Sequence, residues 1–350
     1  MVPLGRALVE AGHQVAFATA ERFCRRVVDE ETMRLPEVAA LGPDEVWALG
    51  AQMFARVAGP AKVADLVRVI GEWQADLVVH DAIDFGAPVA AAHQGIPWAG
   101  HSFGALQPDE FWARSAVLVA PTWQEWGVDP GPQAGMFRHL YLDICPPSFQ
   151  APHAAGLAAR QLLRPVPFDT PGGESLPDWV ASLPDRPTVY VTLGTIFNDT
   201  PGIFEAVLAG LRDGPYNLVV TVGHDRDPAE LGPQPPNVHV ERWVPQSLLF
   251  PHCDAVVSHA GSGTTLAALA HGLPHLMLPQ GANQFWNAER TVALGAGLQL
   301  LADQLQPATV RQQVDELLDR PGYRAAAARL AAEIAAMPPP AAVVPVLERL

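Results

Sequence analysis

Lysine is nearly missing from this 350-residue chain: Lys62 is the only one, and every other basic side chain is Arg. With 22 basic against 37 acidic residues the net charge is −15. That argues against nucleic acid as a partner, because binding a phosphate backbone needs clustered cations. Charged residues reach only 17%, below the ~25% of an average domain. Cysteine is scarce as well. Cys24, Cys145 and Cys253 stand alone without C-x-x-C spacing, so neither a disulfide framework nor a zinc site is implied. No run of ~18 apolar residues suggests a membrane span, and no signal peptide is visible. The 35 prolines and 29 glycines stay below the roughly 25–30% that marks disorder. What remains is 49% hydrophobic, enough for two cores at about 150 residues per domain. The expectation is an acidic, soluble, cytoplasmic protein with no metal site.

Hydrophobic periodicity gives the organisation. Leu4, Ala7, Leu8 and Ala11 keep helical spacing, and Gly12 follows as a C′ residue would. Residues 15–19 then read as a strand. A helix followed by a strand usually sits inside a βαβ unit, and here the first strand of that unit is absent from the sequence. Residues 76–81 and 96–100 read as strands around a helix at 87–93. The flanking stretches, 23–73 and 104–156, carry loops, short helices and many aromatics. Those aromatics are either core or the lining of an apolar pocket; His101, Phe103, Phe111 and Trp112 are the candidates for the pocket. Residues 164–187 are rich in Pro, Gly and Asp and read as a linker.

A second α/β series follows, with strands at 188–193, 218–222, 238–240, 255–258, 275–278 and 298–301. Helices are expected at 203–211, 263–271, 284–294, 308–319 and 322–336. The division is therefore 1–165, a linker at 166–187, 188–336, and a terminal helix within 337–350. Alternating β and α over both halves predicts two doubly wound parallel sheets, with ligands beyond the strand C-termini.

The segment Ser258-His259-Ala260-Gly261-Ser262-Gly263-Thr264-Thr265 carries the chemistry. It follows a strand and opens a helix, where free N–H groups and the positive dipole end favour an anion. Small residues let the backbone approach, and Ser262, Thr264 and Thr265 add hydroxyls. A phosphate or diphosphate is the natural ligand. The pattern is neither a Walker loop nor G-x-G-x-x-G, and no lysine or acidic metal cluster accompanies it.

Together with Trp243-Val-Pro-Gln246, Gly272-Leu-Pro274, Pro279-Gln280, Asn283-Gln284 and Asn287-Ala288, this segment resembles the family 1 nucleotide-sugar glycosyltransferases of GT-B fold. The similarity is to the actinobacterial natural-product type, macrolide glycosyltransferases included. Thr192-Leu-Gly-Thr195, the linker at 164–168 and Gly12-His13-Gln-Val15 also fall where that family has comparable segments. The resemblance implies two Rossmann-like domains facing across a cleft, the first incomplete at its start. It implies a nucleotide-sugar as co-substrate, without a further cofactor, and a small hydrophobic acceptor. Trp243 would stack on the pyrimidine and Gln246 would bond base or ribose. His259, Gly261, Ser262, Gly263 and Thr264 would hold the diphosphate, with Gly194 and Thr195 approaching from another strand. Asn283 and Gln284 would bond the sugar. The family usually has Asp at 283 and, in UDP-sugar users, often Glu at 267; Asn283 and Ala267 depart from this. Ala267 points to a dTDP-sugar.

The family reaction is an inverting displacement in which a His deprotonates the acceptor and an Asp orients it. Asp81 matches the orienting Asp, or else caps a helix. The base His is not in this chain. A misassigned start, a truncation or another base would each account for that, with His101 as a candidate substitute. The expectation is an intact donor half, a weakened first domain and low turnover. A non-catalytic nucleotide-sugar-binding or partner protein is the alternative, and an epimerase the third reading. Acceptor, linkage and assembly, a homodimer included, are left open.

Overall fold

The computed structural model describes residues 1–18, 43–131, 133–170, 173–194, 200–223 and 226–350. They form two compact units. One comprises Met1–Pro146, Gln150–Arg164 and Met337–Leu350, the other Pro147–Phe149 and Pro165–Ala336.

In the first unit four parallel strands, β1 (Val78–Asp81), β2 (Trp98–His101), β3 (Leu140–Asp143) and β4 (Arg160–Leu162), lie in sequence order. Around them are α1 (Val2–Glu10), α2 (Pro43–Ala51), a π-helical turn (Gln52–Ala58), α3 (Gly59–Trp73), α4 (Ala87–Gln94) and α5 (Asp109–Glu125). Helix α1 ends as expected: Gly12 takes φ +97°, and the His13 N–H returns to the Leu8 carbonyl at 3.0 Å. The C-terminal helix Pro340–Leu347 belongs here, because Val343 and Leu347, one turn apart, join Leu4, Ala99, Leu140 and Leu142 in one core.

Three expectations are corrected. Residues 15–18 form no strand, and Thr19 lies outside the described residues; an apolar run needs a neighbour to take its backbone bonds, whereas Phe17 folds back over Gly5. The described part of the stretch ending at Trp73, residues 43–73, is helical throughout, with Pro60 in the first turn of α3 where its missing N–H costs nothing. Residues 104–156 hold a 17-residue helix with Pro121 inside it, besides β3. That proline and the dense aromatics disguised the helical period.

The second unit has β5 (Thr188–Thr192), α6 (Ile203–Leu211), β6 (Asn217–Thr221), β7 (Val238–Glu241), α7 (Gln246–Leu249), β8 (Ala255–Ser258), α8 (Ser262–Ala270), β9 (His275–Met277), α9 (Gln284–Ala293), β10 (Gly297–Gln299), α10 (Pro307–Asp319) and α11 (Pro321–Ala336). Its six strands are all parallel in the order β10-β9-β8-β5-β6-β7. Both faces are covered, as near-continuous apolar strands require. Val189, Val191, Val220 and Val257 pack on Phe204, Val207, Val310 and Val314; Tyr190, Val219 and Val256 pack on Leu249, Phe250 and Leu273. Each such fully buried Val or Leu contributes roughly 1.5–3 kcal/mol. The winding reverses between β5 and β8, and a crevice for ligands opens beyond strand ends at such a point. No single described helix is long and apolar enough to cross a membrane.

Candidate active site

The reversal point places Gly194, just past β5, beside the turn that leaves β8. The His259 ring is pressed between two glycines. A Cβ on Gly194 would lie 2.5 Å from its Cε1 and 2.7 Å from Nε2, and a Cβ on Gly261 would collide with the same ring. Gly194 also has φ +76°, which a side chain disfavours. Burial pulls the His259 pKa down to about 4, so the imidazole is neutral at pH 7. Its Nδ1 has no partner among the described residues.

Ala260 sits at φ +65°, a conformation that costs an L-residue about 1–2 kcal/mol. Two bonds offset that cost. Its N–H donates to Ser258 Oγ at 3.1 Å, and its carbonyl accepts from Asn287 Nδ2 at 2.8 Å. Ser258 Oγ in turn meets His275 Nε2 at 2.7 Å; complete burial draws the His275 pKa down to about 3. The turn is thus held open from below. Gly261 precedes α8, and among the described residues no side chain caps that helix. Its first-turn N–H groups are left to attract an anion.

A line of hydroxyls runs beneath. Gln246, the first residue of α7, donates to Thr264 Oγ1 and Tyr190 Oη, both at 3.3 Å. Tyr190 Oη meets Thr221 Oγ1 at 2.6 Å, which donates to Thr192 Oγ1 at 3.0 Å, and that oxygen accepts the Gly194 N–H at 3.2 Å. Trp243 is half-buried three residues before Gln246. Asp169 clamps α7 from the linker, accepting from Ser247 N at 2.8 Å and from Ser247 Oγ at 2.7 Å.

Asn283 and Ser262 meet at 2.7 Å. Gln284 is only 2% exposed. Its Oε1 accepts from the N–H groups of Gln280 and Gly281 at 2.8 and 3.2 Å, which fixes the loop before α9 and leaves its amide nitrogen for a ligand. Gly263 is exposed. Thr195 lies outside the described residues. The sequence alone does not single out Tyr190, Thr221, His275 or Asp169, and shows Ser258 only as the start of the motif. A buried histidine in an apolar strand was the one available signal. Asn287, quoted only as motif, had a second: it lies four residues after Asn283 on one helix face.

In the first unit, Asp81 and His101 end adjacent strands as register partners. The Asp81 carboxylate accepts from the Ile83 N–H at 3.0 Å, and burial raises its pKa. His101 Nδ1 lies 2.7 Å from the Ser102 carbonyl, and burial lowers its pKa to about 4. Among the described residues no hydrogen bond joins the two. The helix cap after β1 is Asp84, not Asp81: its Oδ1 accepts from Gly86 N and Ala87 N at 3.0 and 3.1 Å. His80, next to Asp81 on β1, is buried with Nδ1 2.7 Å from the Asp81 carbonyl. Phe111 and Trp112 are core side chains, 3% and 4% exposed, whose rings meet edge to face at 5.1 Å. Phe103 keeps part of its surface accessible.

Residues 42–194 match the family described as erythromycin biosynthesis protein CIII-like, N-terminal domain, and residues 205–350 match its C-terminal domain. Over 361 aligned residues the chain is 30% identical to the L-demethylnoviosyl transferase of Streptomyces niveus, covering 98% of this chain and 92% of that one. The chain belongs to the erythromycin biosynthesis protein CIII-like glycosyltransferases. This glycosyltransferase superposes on the spinosyn rhamnosyltransferase SpnG complexed with spinosyn aglycone with a TM-score of 0.85 and 27% identity, covering 99% of this chain and 95% of that one. Against SpnG complexed with thymidine diphosphate the TM-score is 0.84 at 26% identity, with the same coverage. The fold class is therefore GT-B, and the protein is a transferase of the actinobacterial natural-product type.

Proposed function

We propose that this glycosyltransferase moves a deoxysugar from a thymidine or uridine diphosphate sugar to a small hydrophobic natural-product acceptor, by an inverting displacement that needs no metal. The observation that carries this reading is the uncapped start of α8, framed by a neutral imidazole held between two glycines. His101, the candidate base that this chain carries, takes the acceptor's hydroxyl proton, and the oxygen attacks the anomeric carbon. The bond to the diphosphate breaks, and its electron pair leaves with the β-phosphate oxygen. The growing negative charge meets turn amides, the hydroxyls of Ser262 and Thr264, and an N–H of His259. Trp243 covers the pyrimidine face and Gln246 bonds base or ribose. Asn283 and the amide nitrogen of Gln284 face the sugar, and Asp81 orients the base.

Thymidine is the favoured nucleoside. Ala267, in the second turn of α8, has no carboxylate to grip a ribose 2′-hydroxyl, and the relative bound to thymidine diphosphate supports the same choice. The test is calorimetric titration with thymidine and uridine diphosphates, followed by mass-spectrometric detection of transfer from thymidine diphosphate deoxysugars to polyketide aglycones, with and without EDTA. Binding of the thymidine nucleotide and EDTA-resistant transfer are expected. Failure to bind either nucleotide, or transfer abolished by EDTA, would overturn the reading.

A further inference from the structure

Ser262 opens α8, and its hydroxyl oxygen is an acceptor twice over. Asn283 Nδ2 reaches it at 2.7 Å and Asn287 Nδ2 at 3.0 Å. The orientation of Asn287 is fixed independently, because the same nitrogen donates to the Ala260 carbonyl at 2.8 Å, where an amide oxygen could not sit. A serine hydroxyl has two lone pairs and one proton. With both lone pairs engaged, only the O–H is left to Ser262, and among the described residues no acceptor takes it. The residue is 9% exposed. Asn283 shows the same commitment from the other side. It stands at the N-cap of α9, where an asparagine ordinarily accepts from its own helix, yet among the described residues it makes no such bond. Its side chain is spent on Ser262 instead.

We propose that Asn283 is a positioning residue, which together with Asn287 turns the Ser262 hydroxyl into an obligate hydrogen-bond donor aimed at the diphosphate of the sugar donor. This rests on the function proposed above and deepens it: Asn283 acts on the phosphates through Ser262, and not only on the sugar. Two amides fill the acceptor side of the hydroxyl, so it needs no reorientation when an anion arrives at the helix terminus.

Calorimetry with thymidine diphosphate and with thymidine tests this on Asn283→Ala, Ser262→Ala and the double variant, with Ser262→Gly replacing Ser262→Ala should the latter not fold. Each single change is expected to weaken thymidine diphosphate binding about 10- to 100-fold, the equivalent of one charge-assisted hydrogen bond, and to leave thymidine binding unchanged. The double variant is expected to be no weaker than Ser262→Ala alone. Asn283→Asp should weaken diphosphate binding further than Asn283→Ala, because a carboxylate takes the Ser262 proton for itself. Additive losses in the double variant would overturn the proposal. So would an Asn283→Ala protein that binds thymidine diphosphate normally and loses affinity only for the sugar-bearing nucleotide. A parent protein that binds no thymidine diphosphate at all would instead sink the proposed function.

Discussion

Gly194 and the His259 imidazole are in backbone-to-ring contact, close enough that a single added methyl at Gly194 would stand 2.5 Å from Cε1. The two residues come from the ends of different strands, β5 and β8, so the contact fixes the spacing of the two loops that border the anion site. Gly194→Ala has to displace the ring and hold φ +76° with a side chain, at a cost of about 1–3 kcal/mol. Thymidine diphosphate affinity is expected to fall at least about tenfold. Titration calorimetry reads this directly, and unchanged affinity would mean that the ring plays no part in holding the nucleotide.

Acid sensitivity follows from the buried imidazoles. Burial lowers the pKa of His101 and His259 to about 4 and of His275 to about 3, and lowers that of His80 as well. The unfolded chain therefore binds more protons than the folded one once pH drops below about 6.5. Stability falls as pH moves from 6.5 towards 4, the opposite of a histidine that gains a partner. At pH 5.5 His101, His259 and His275 together take up nearly one proton each, about three in all, on unfolding. Asp81 and Asp143, raised by burial, work against this only nearer the carboxylate range. Scanning calorimetry in buffers of different ionisation enthalpy measures the uptake; a Tm that stays level between pH 7 and pH 5 contradicts it.

The donor half was readable because its signals are local. Helix Ile203–Leu211 and strand Ala255–Ser258 keep the predicted ends, since each begins and stops at a change of hydrophobic period. The anion turn was legible for the same reason: strand, small residues and helix follow one another in sequence. What was not legible depends on contacts between distant residues. Tyr190 reads as one more apolar strand residue until Thr221 and Gln246 are seen around its hydroxyl. Gln284 reads as a sugar ligand through either end of its amide until its carbonyl oxygen is found accepting from the N–H groups of Gln280 and Gly281, which leaves only its nitrogen for that role. In the first unit, Asp81 is the cap candidate that the sequence offers, and the bonds to Gly86 and Ala87 give the role to Asp84 instead.

The hydroxyl line under the site is open to a one-atom test. Tyr190→Phe removes Oη and keeps the ring against Phe250, with which it packs edge to face at 5.6 Å. Thr221 and Gln246 each lose a partner. A loss of about 1–2 kcal/mol in stability is expected, together with a several-fold rise in the KM for the nucleotide-sugar as Gln246 loosens. Denaturant unfolding and donor-side kinetics measure the two. A stability loss with no change in KM would confine the line to a packing role.

Asp169 ties the linker to α7 through both its carboxylate oxygens. Helix α7 is a single turn that bears Gln246 at its start, so its own hydrogen bonds hold it weakly. Removing the clamp by Asp169→Ala is expected to cost about 0.5–2 kcal/mol, as loss of a helix cap does, and to raise the KM for the nucleotide-sugar more than that for the acceptor. Steady-state kinetics with each substrate varied in turn decides it. Equal effects on both substrates would show that the linker does not serve the nucleobase end in particular.

Asp81 and Asp84 lie one turn apart and separate chemistry from stability. Asp81→Asn keeps an oxygen to accept the Ile83 N–H, so the turn after β1 survives while the negative charge goes. If Asp81 orients and stabilises the protonated base, that charge matters most once the proton has moved. Turnover is then expected to fall about 100-fold or more, with thymidine diphosphate affinity and Tm unchanged. Asp84→Ala should do the reverse. It strips the N-terminal cap from α4 and the 2.8 Å partner from Lys62, lowering stability by about 1–2 kcal/mol with turnover preserved under conditions where the protein is folded. Measuring kcat and Tm on both variants gives opposite patterns if the assignment holds. Should Asp81→Asn retain most of its turnover, the carboxylate is a turn-forming group only, and the base is oriented by another residue.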